Sequence, residues 1–426
     1  MASFQSPRGT RDILPIDQAV WRHVRETAER VAYSMGYQPI TLPTYEELGL
    51  FQRAIGEGTD VQDKEMFLVS GKQADAGDAR YALRPEGTAG MVRSFIENGM
   101  HTWPQPVRLF SIVNLFRYER PQKGRYREHV QFDFEYFGDK SPFADAWVIY
   151  TGWRFLRELG LEGLELRINN LGTSVEREAY LREFVAFCQP FKERLSEDSR
   201  RRLEINPLRI LDSKDPEDKR LCLEAPQLTD FLTQESHAHA DTVMSYLAEW
   251  GIPTFNDSFL IRGLDYYSQT AFEWTVKTST GQQDSLGGGG RYDGLVIQLG
   301  GSDVGAIGTG IGLDRVVEEV IRQQKDVGII AFTPTVYVVA ADDQGADYAR
   351  AAIVPRLLDS GIALECNLAK TGVSAQMKSA NRSGALFAII VGTTEADAQT
   401  VELKDLSSGS QETVSLEDLP GRLAHA

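Results

Sequence analysis

From Asp17 to Met35 the apolar residues recur at helical spacing, with Val20, Val24, Ala28 and Val31 on one face and Gly36 closing the run. Asp17 is placed to cap that helix. The next stretch, GYQPITLPTYEELGLF, reads as extended and is closed by Pro43. Residues 57–83 read as short strands around a polar turn, GKQADAGDA. Arg84-Pro85-Glu86-Gly87-Thr88 is a stiff turn feeding a helix that ends near Gly99, and VRLFSIVNLF (107–116) reads as a buried strand. FRYERPQKGRYREHVQFDFEYFG (116–138) then predicts a hairpin: Pro121 and Gly124 bend a run containing Arg120, Lys123, Arg125 and Arg127. Its second strand alternates, with Gln131, Asp133 and Glu135 on one face and Phe132, Phe134 and Phe137 mostly on the other.

Residues 144–159 read as a helix, and LELRINNLG returns as a strand. Between about 171 and 255 the texture becomes charged, helical and poor in glycine, which predicts a helical insertion. Arg200, Arg201 and Arg202 within it could touch RNA but read better as a solvated face. Strand-like texture resumes at TFNDSFLIRGLDYYSQTAFEWTV, followed by a glycine-rich turn, SLGGGGRYDGLVIQLGG, and by VGAIGTGIGLDRVVEEVIRQQ. After a linker at Val327 to Pro334, strands and helices alternate to the end, as in a small α/β domain with a partly parallel sheet. The pattern divides the chain into 1–170 and 256–326 as two parts of one α+β domain, 171–255 as the insertion, and 334–426 as the terminal α/β domain.

Composition narrows the function classes. At 426 residues the chain fits two to three domains, and no apolar run is long enough for a membrane span. The start, MASFQSPRGTRD, lacks a signal-peptide core, so a cytoplasmic location is expected. Cys188, Cys222 and Cys366 are scattered, as expected of inert thiols, and the six histidines form no metal constellation. A net charge of −16 argues against non-specific nucleic-acid binding but leaves room for a local basic loop.

The chemistry lies in four strings. The hairpin lifts arginines, whose forks suit phosphate, over carboxylates, which suit an ammonium or an imidazole N–H. IRGLDYYSQTAFEW puts Arg262, Asp265, Tyr266 and Tyr267 within six residues, with Gly263 allowing close approach. GGGGRYDGL places Tyr292 after four glycines, which let the backbone approach a bound ring. GTGIGLDRVVEE delivers Arg315 at a helix start; its spacing fits neither a P-loop nor a dinucleotide fingerprint. Glu86 and Thr88, at their helix start, read equally as caps or as acceptors for an ammonium together with Gln131.

These strings resemble motifs 2 and 3 of class II aminoacyl-tRNA synthetases, and Arg-Gly-Leu-Asp-Tyr-Tyr with GGGGRYDGL resembles the histidyl-tRNA synthetase family in particular. The resemblance runs from PRGTRDILP to the C-terminus. It implies an antiparallel catalytic sheet flanked by helices, a helical insertion and a C-terminal anticodon-binding domain. The implied substrates are L-histidine, ATP with Mg2+, and tRNA(His), and the implied assembly is a homodimer through the first helix and strand. The implied histidine site is Arg84, Pro85, Glu86, Thr88, Gln131, Glu135, Arg262, Tyr266, Tyr267 and Tyr292. Glu135 and the tyrosine hydroxyls would meet the imidazole, and the carboxylate would meet Arg262. The implied ATP site is Arg117, Glu119, Arg125, His129 and Arg315, with Arg117 and Arg262 as catalytic residues on the α-phosphate and Glu119 or nearby acids toward magnesium. Arg120 and Gln122 would reach the tRNA acceptor end. No dedicated metal site within the protein is expected.

His129 departs from the family pattern, which has phenylalanine four residues after the second arginine. An imidazole can still stack on adenine, but an altered ATP affinity or pH response is expected. The rival reading is an inactive, synthetase-like regulatory subunit of histidine biosynthesis. Such paralogues lack the C-terminal domain and have degraded motifs, whereas Arg117 and Arg262 are intact here.

Overall fold

A computed structural model of the chain describes residues 4–56, 59, 65–70, 80–119, 124–277, 285–325, 334–368 and 372–424. Two compact units result, Met1–Val327 and Gly328–Ala426. In the first, the order is α1 (Pro15–Ser34), β1 (Gln38–Pro39), β2 (Tyr45–Glu47), α2 (Leu48–Ile55), β3 (Leu68–Val69), β4 (Tyr81–Leu83), α3 (Thr88–Glu97), β5 (Val107–Phe116), β6 (Glu128–Phe137), α4 (Pro142–Glu158) and β7 (Leu164–Asn170). The helices α5 (Ser174–Cys188), α6 (Glu197–Ile205), α7 (Pro216–Glu224) and α8 (Gln234–Glu249) follow. The unit closes with β8 (Thr254–Asn256), β9 (Ser268–Val276), β10 (Ser285–Arg291), α9 (Asp293–Gln298), β11 (Ala306–Gly312) and α10 (Leu313–Arg322).

Eight strands form one sheet in the order β1-β5-β6-β11-β10-β9-β7-β8. The six central strands pair antiparallel, and the edge strands β1 and β8 pair parallel. The alternation in β6 decides which face does what. Phe132, Phe134 and Tyr136 pack into a core with α1, α4, α8 and α10. Gln131, Asp133 and Glu135 therefore point to the opposite face, where α2, α3 and the insertion pack around a second core.

Several sequence expectations need correction. Asp17 does not cap α1; Leu14 holds that position, Pro15 starts the helix, and Asp17 lies within its first turn. The stretch after Pro43 is not all extended, since Leu48–Ile55 is helical and buries Phe51, Ala54 and Ile55. Within the helical insertion, Val243, Leu247 and Ile252 share a core with α4 and β9. Residues 260–267 are not strand, and the strand starts at Ser268. Conversely, the four-glycine run is the strand β10 rather than a turn. The polar turn 71–79 and most of the linker after Val327 lie outside the described residues.

The glycines of β10 are there because neighbours occupy the space a side chain would need. A Cβ on Gly288 would stand 2.9 Å from the Arg262 guanidinium carbon, and one on Gly290 would stand 2.8 Å from the Tyr267 ring. The sheet is shaved so that Arg262 and Tyr267 can lie against it. Arg291, at the end of that run, turns away from this face. It is fully buried and pairs with Asp145 of α4 and with Asp293.

The second unit has a five-stranded sheet, β13-β12-β14-β15-β16, made of β12 (Val336–Ala340), β13 (Leu364–Cys366), β14 (Phe387–Val391), β15 (Thr400–Asp405) and β16 (Gln411–Ser415). β13, β12 and β14 are parallel, and the last two strands add antiparallel pairs. The helices are α11 (Asp343–Tyr348), α12 (Val354–Asp359), α13 (Val373–Ser383), α14 (Thr393–Ala398) and α15 (Leu419–Ala424). No described helix is long and apolar enough to cross a membrane. Cys188 and Cys222 are buried free thiols, and burial pushes Cys222 up to about 12.

Candidate active site

On the polar face of the large sheet two cavities adjoin. The smaller, about 150 Å³, is lined by Glu86, Gly87, Thr88, Arg117, Gln131, Asp133, Arg262, Tyr266 and Tyr267, among others. The larger, about 630 Å³, is lined by Arg117, Glu119, Arg125, His129, Gln131, Arg262, Glu273 and Arg315, with Asp212, Lys214 and Lys219 from the insertion. Arg117, Gln131 and Arg262 line both. Residues from five separate stretches of sequence thus converge where the hairpin places arginines over carboxylates.

The arginines are held from behind. Arg117 donates its Nε to the Pro85 carbonyl at 2.8 Å, and Arg262 donates to Glu273 at 3.0 Å. Arg315 donates to the carbonyls of Gly124 and Ser285, and Arg125 pairs with Glu119 at 3.3 Å. These anchors leave other guanidinium nitrogens for a phosphate or a carboxylate, and fixed donors need no reorganisation when charge develops.

Glu86 accepts from the backbone N–H groups of Thr88 and Ala89, both at 2.8 Å, so it caps α3 and lines the cavity at once. Burial raises its pKa, against those two hydrogen bonds. Tyr267 is pushed up to about 12 by burial, so its hydroxyl keeps its proton at neutral pH.

Not every expected residue lines a cavity. Glu135 is fully buried one layer deeper, where it accepts from the Thr88 hydroxyl at 2.6 Å and from the Tyr292 hydroxyl. Arg84 is structural: it donates to the carbonyls of Leu42, Pro43 and Asn114. Pro85 serves through its carbonyl to Arg117. Arg120 and Gln122 lie outside the described residues. Glu273 and Asp133 were not among the expected site residues. Glu273 carries no local signal, because its partner Arg262 comes from a loop eleven positions away. Asp133 could have been found, since it shares the β6 face with Gln131 and Glu135.

His129 lines the larger cavity. Its surroundings argue against the expected pH response, however. Burial, reinforced by the Arg117 and Arg315 charges, drives its pKa down to about 3, so the imidazole stays neutral from pH 6 to 8. His129→Phe is therefore expected to leave the pH dependence of the ATP KM over that range unchanged. A slope that flattens in the variant would show that the ring titrates.

The loop carrying Arg262 is pinned by the insertion. Arg209 donates to the Arg262 carbonyl at 2.7 Å, Asn206 to Asp265, and Arg177 to the Tyr267 carbonyl. Arg209 is thus a positioning residue. Arg209→Ala is expected to lower kcat/KM for the amino-acid substrate about 10- to 100-fold, as misplacement by an ångström would. Arg209→Lys, which keeps a donor, should recover part of the rate at an unchanged melting temperature. Equal rates in all three proteins would remove the coupling.

An antiparallel sheet with a motif 2 hairpin, a glycine-bearing motif 3 strand running into a helix, and arginines gathered between them defines a class II aminoacyl-tRNA synthetase. Comparison with known proteins narrows the class. Residues 9–176 match the family model of histidyl-tRNA synthetase and 334–425 that of an anticodon binding domain. A histidine–tRNA ligase of Synechococcus sp. (strain JA-3-3Ab) is 42% identical over 419 residues, covering 98% of each chain. The apo histidyl-tRNA synthetase of S. aureus superposes with a TM-score of 0.82 at 32% identity, covering 99% of this chain and 100% of that one. A Bacillus halodurans protein described as an ATP phosphoribosyltransferase regulatory subunit/histidyl-tRNA synthetase shares the fold, with a TM-score of 0.64, 21% identity, and coverage of 92% of this chain and 99% of that one. The chain belongs to the histidyl-tRNA synthetase family.

Proposed function

We propose that the smaller cavity receives L-histidine, the larger receives ATP, and the two react across Arg117 and Arg262. The chain is a histidine–tRNA ligase by family and uses ATP to activate the amino acid. The observation that carries the assignment of sites is that Arg117 and Arg262 line both cavities. A carboxylate in one and an α-phosphate in the other would share their guanidinium groups.

The histidine carboxylate is already ionised at neutral pH, so the first step needs no general base. One carboxylate oxygen attacks the α-phosphorus, and the bond to the bridging oxygen breaks. Pyrophosphate leaves with the electron pair, giving histidyl-adenylate. Arg117 and Arg262 neutralise the α-phosphate, while Arg125 and Arg315 take the β- and γ-phosphates. His129 stacks on adenine. Glu86, Thr88 and Gln131 hold the amino group, and Tyr266 and Tyr267 flank the ring. An imidazole N–H reaching Glu135 would take over the place of the Thr88 hydroxyl or of Tyr292. In the second step a hydroxyl of the terminal ribose of tRNA(His) attacks the acyl carbon, the acyl–oxygen bond to the phosphate breaks, and AMP leaves with the hydroxyl proton passed to its departing phosphate oxygen or to solvent. Arg120 and Gln122 are assigned to that RNA end, and the C-terminal unit, about 334–426, to the anticodon.

Magnesium fits as an ion shared with the nucleotide. Among the described residues no group of three or more acidic, histidine or cysteine side chains could hold a metal alone. Glu119 and Glu273, both lining the larger cavity, would supply carboxylates beside the phosphate oxygens, which is how magnesium is usually held. Bound there, it would add positive charge to that of Arg125 and Arg315. A homodimer through the α1–β2 segment, where Tyr33 and Tyr45 are exposed, and a cytoplasmic location complete the reading. Attachment of labelled histidine to tRNA tests it. ATP-dependent charging of tRNA(His) is the expected result, and a folded chain that charges no tRNA would overturn the reading.

A further inference from the structure

One acid in the smaller cavity has no task so far. Asp133 projects from β6 into it, is 2% exposed, and has no hydrogen-bond partner at either carboxyl oxygen among the described residues. Buried polar groups left unpaired are uncommon and ask for a reason. Glu86 beside it differs: it takes two backbone N–H groups and stands 3.5 Å from the Tyr266 hydroxyl. The room around Asp133 is kept by glycines. A Cβ on Gly87 would collide with its Oδ2, and one on Gly310 would stand 2.7 Å from its Oδ1. The carboxyl thus lies against the turn that carries Glu86, and its acceptor sites are unused.

We propose that Asp133 receives the α-ammonium group of the amino-acid substrate together with Glu86, and releases a proton to solvent as that group enters. This rests on the histidine-site reading given above. The groups facing Asp133 support it. Glu86 comes from the turn before α3, Arg84 from the end of β4, and Arg117 from the end of β5. Arg262, Tyr266 and Tyr267 come from the pinned loop, and Glu135 lies two residues on along β6. Among the described residues no arginine bonds Asp133 directly: Arg84 donates to three carbonyls, Arg117 anchors to Pro85 and Arg262 to Glu273. Burial, and then the neighbouring Glu86, push Asp133 up to about 8. At pH 7 it therefore carries a proton, and an arriving ammonium makes the carboxylate the favoured form. The balance is one ammonium and one carboxylic acid giving an ammonium–carboxylate pair and one released proton. The sign follows: the raised group must lose its proton for binding, so affinity rises as pH climbs from 6 toward 8.

Calorimetric titration of the full chain at pH 7, in buffers of different ionisation enthalpy, reads the proton directly. Two ligands suffice, histidine and 3-(imidazol-4-yl)propionate, which lacks only the amino group. Each count is corrected for the protons carried by the free ligand's own imidazole, which is more basic in the analogue because no ammonium stands beside it. The wild-type chain is expected to release about one proton more with histidine than with the analogue, as a group titrating near 8 requires at pH 7. Asp133→Asn should abolish that difference and weaken histidine about tenfold at pH 8, as loss of a charge-assisted hydrogen bond would, while leaving the analogue unaffected. Equal proton counts for the two ligands in the wild-type chain would overturn the proposal without any variant. So would an Asp133→Asn effect as large on the analogue, which would place Asp133 at the ring. If histidine does not bind the wild-type chain at all, the histidine-site reading falls, and this inference with it.

Discussion

Arg262→Ala is expected to lower kcat for histidine-dependent pyrophosphate exchange by about 10²- to 10³-fold, the usual cost of removing one preorganised donor from developing charge. The effect is large because of where Arg262 stands. It lies against Gly288, is held by Glu273 and lines both cavities. Of the described loop residues, only Gly263 beside it also lines both cavities, and it has no side chain to offer. Arg117 reaches them from the hairpin side, so residual activity should persist in the single variant and fall further in the double. The variant should remain folded, since removing the guanidinium leaves Glu273 still bonded to Ser285. Steady-state exchange beside a melting curve checks both parts. A loss confined to KM would place Arg262 in ground-state binding alone.

Gly289→Ala should unfold the catalytic unit more readily than any conservative change on its surface. β10 runs between β9 and β11, and a Cβ at Gly289 would be driven into the Gly308 carbonyl and to 2.7 Å from the Thr309 Cα. Both obstacles are backbone in the middle of a sheet, so no rotamer change relieves them. A loss of about 3 kcal/mol or more is expected, at or above the range for overpacking a core. Gly294→Ala, five residues on in α9, is the control. A Cβ there meets nothing within 4 Å, and alanine favours a helix over glycine by about 1 kcal/mol. Denaturant midpoints of the two variants should move in opposite directions.

The β10 glycines also show how the sequence misleads. Read locally, four glycines mean a turn, because glycine tolerates turn geometry. Here they are required by what crosses them, and those partners lie elsewhere in the sequence. The Arg262 loop was mistaken for strand for the same reason: its apolar residues are buried, but its backbone is fixed by Arg209, Asn169 and Arg177 rather than by a neighbouring strand. The β6 alternation was legible because a strand carries its own period and one face met a core. The α+β character of the chain and the alternating terminal unit were legible likewise. Asp133 was visible on that strand, but its isolation was not, since an absent partner leaves no mark in sequence.

The family resemblance supplied what periodicity could not, a proposal for which arginine faces which phosphate. It also bears on the rival reading. The Bacillus halodurans protein shows that this fold extends to a chain described as a regulatory subunit, so fold alone does not separate the two. The relatives named histidine–tRNA ligase that match over the full length favour the enzyme, and Arg117, Arg125, Arg262 and Arg315 line one cavity, as the proposed triphosphate site requires.

The central claim is that two cavities share two arginines so that a histidine carboxylate meets the α-phosphorus of ATP. Pyrophosphate exchange into ATP, run with each of the twenty amino acids in turn, tests it most directly. Exchange supported by histidine alone, and lost with Arg262→Ala, is the predicted result. Exchange driven equally well by another amino acid, or none from the folded chain with histidine, would contradict it.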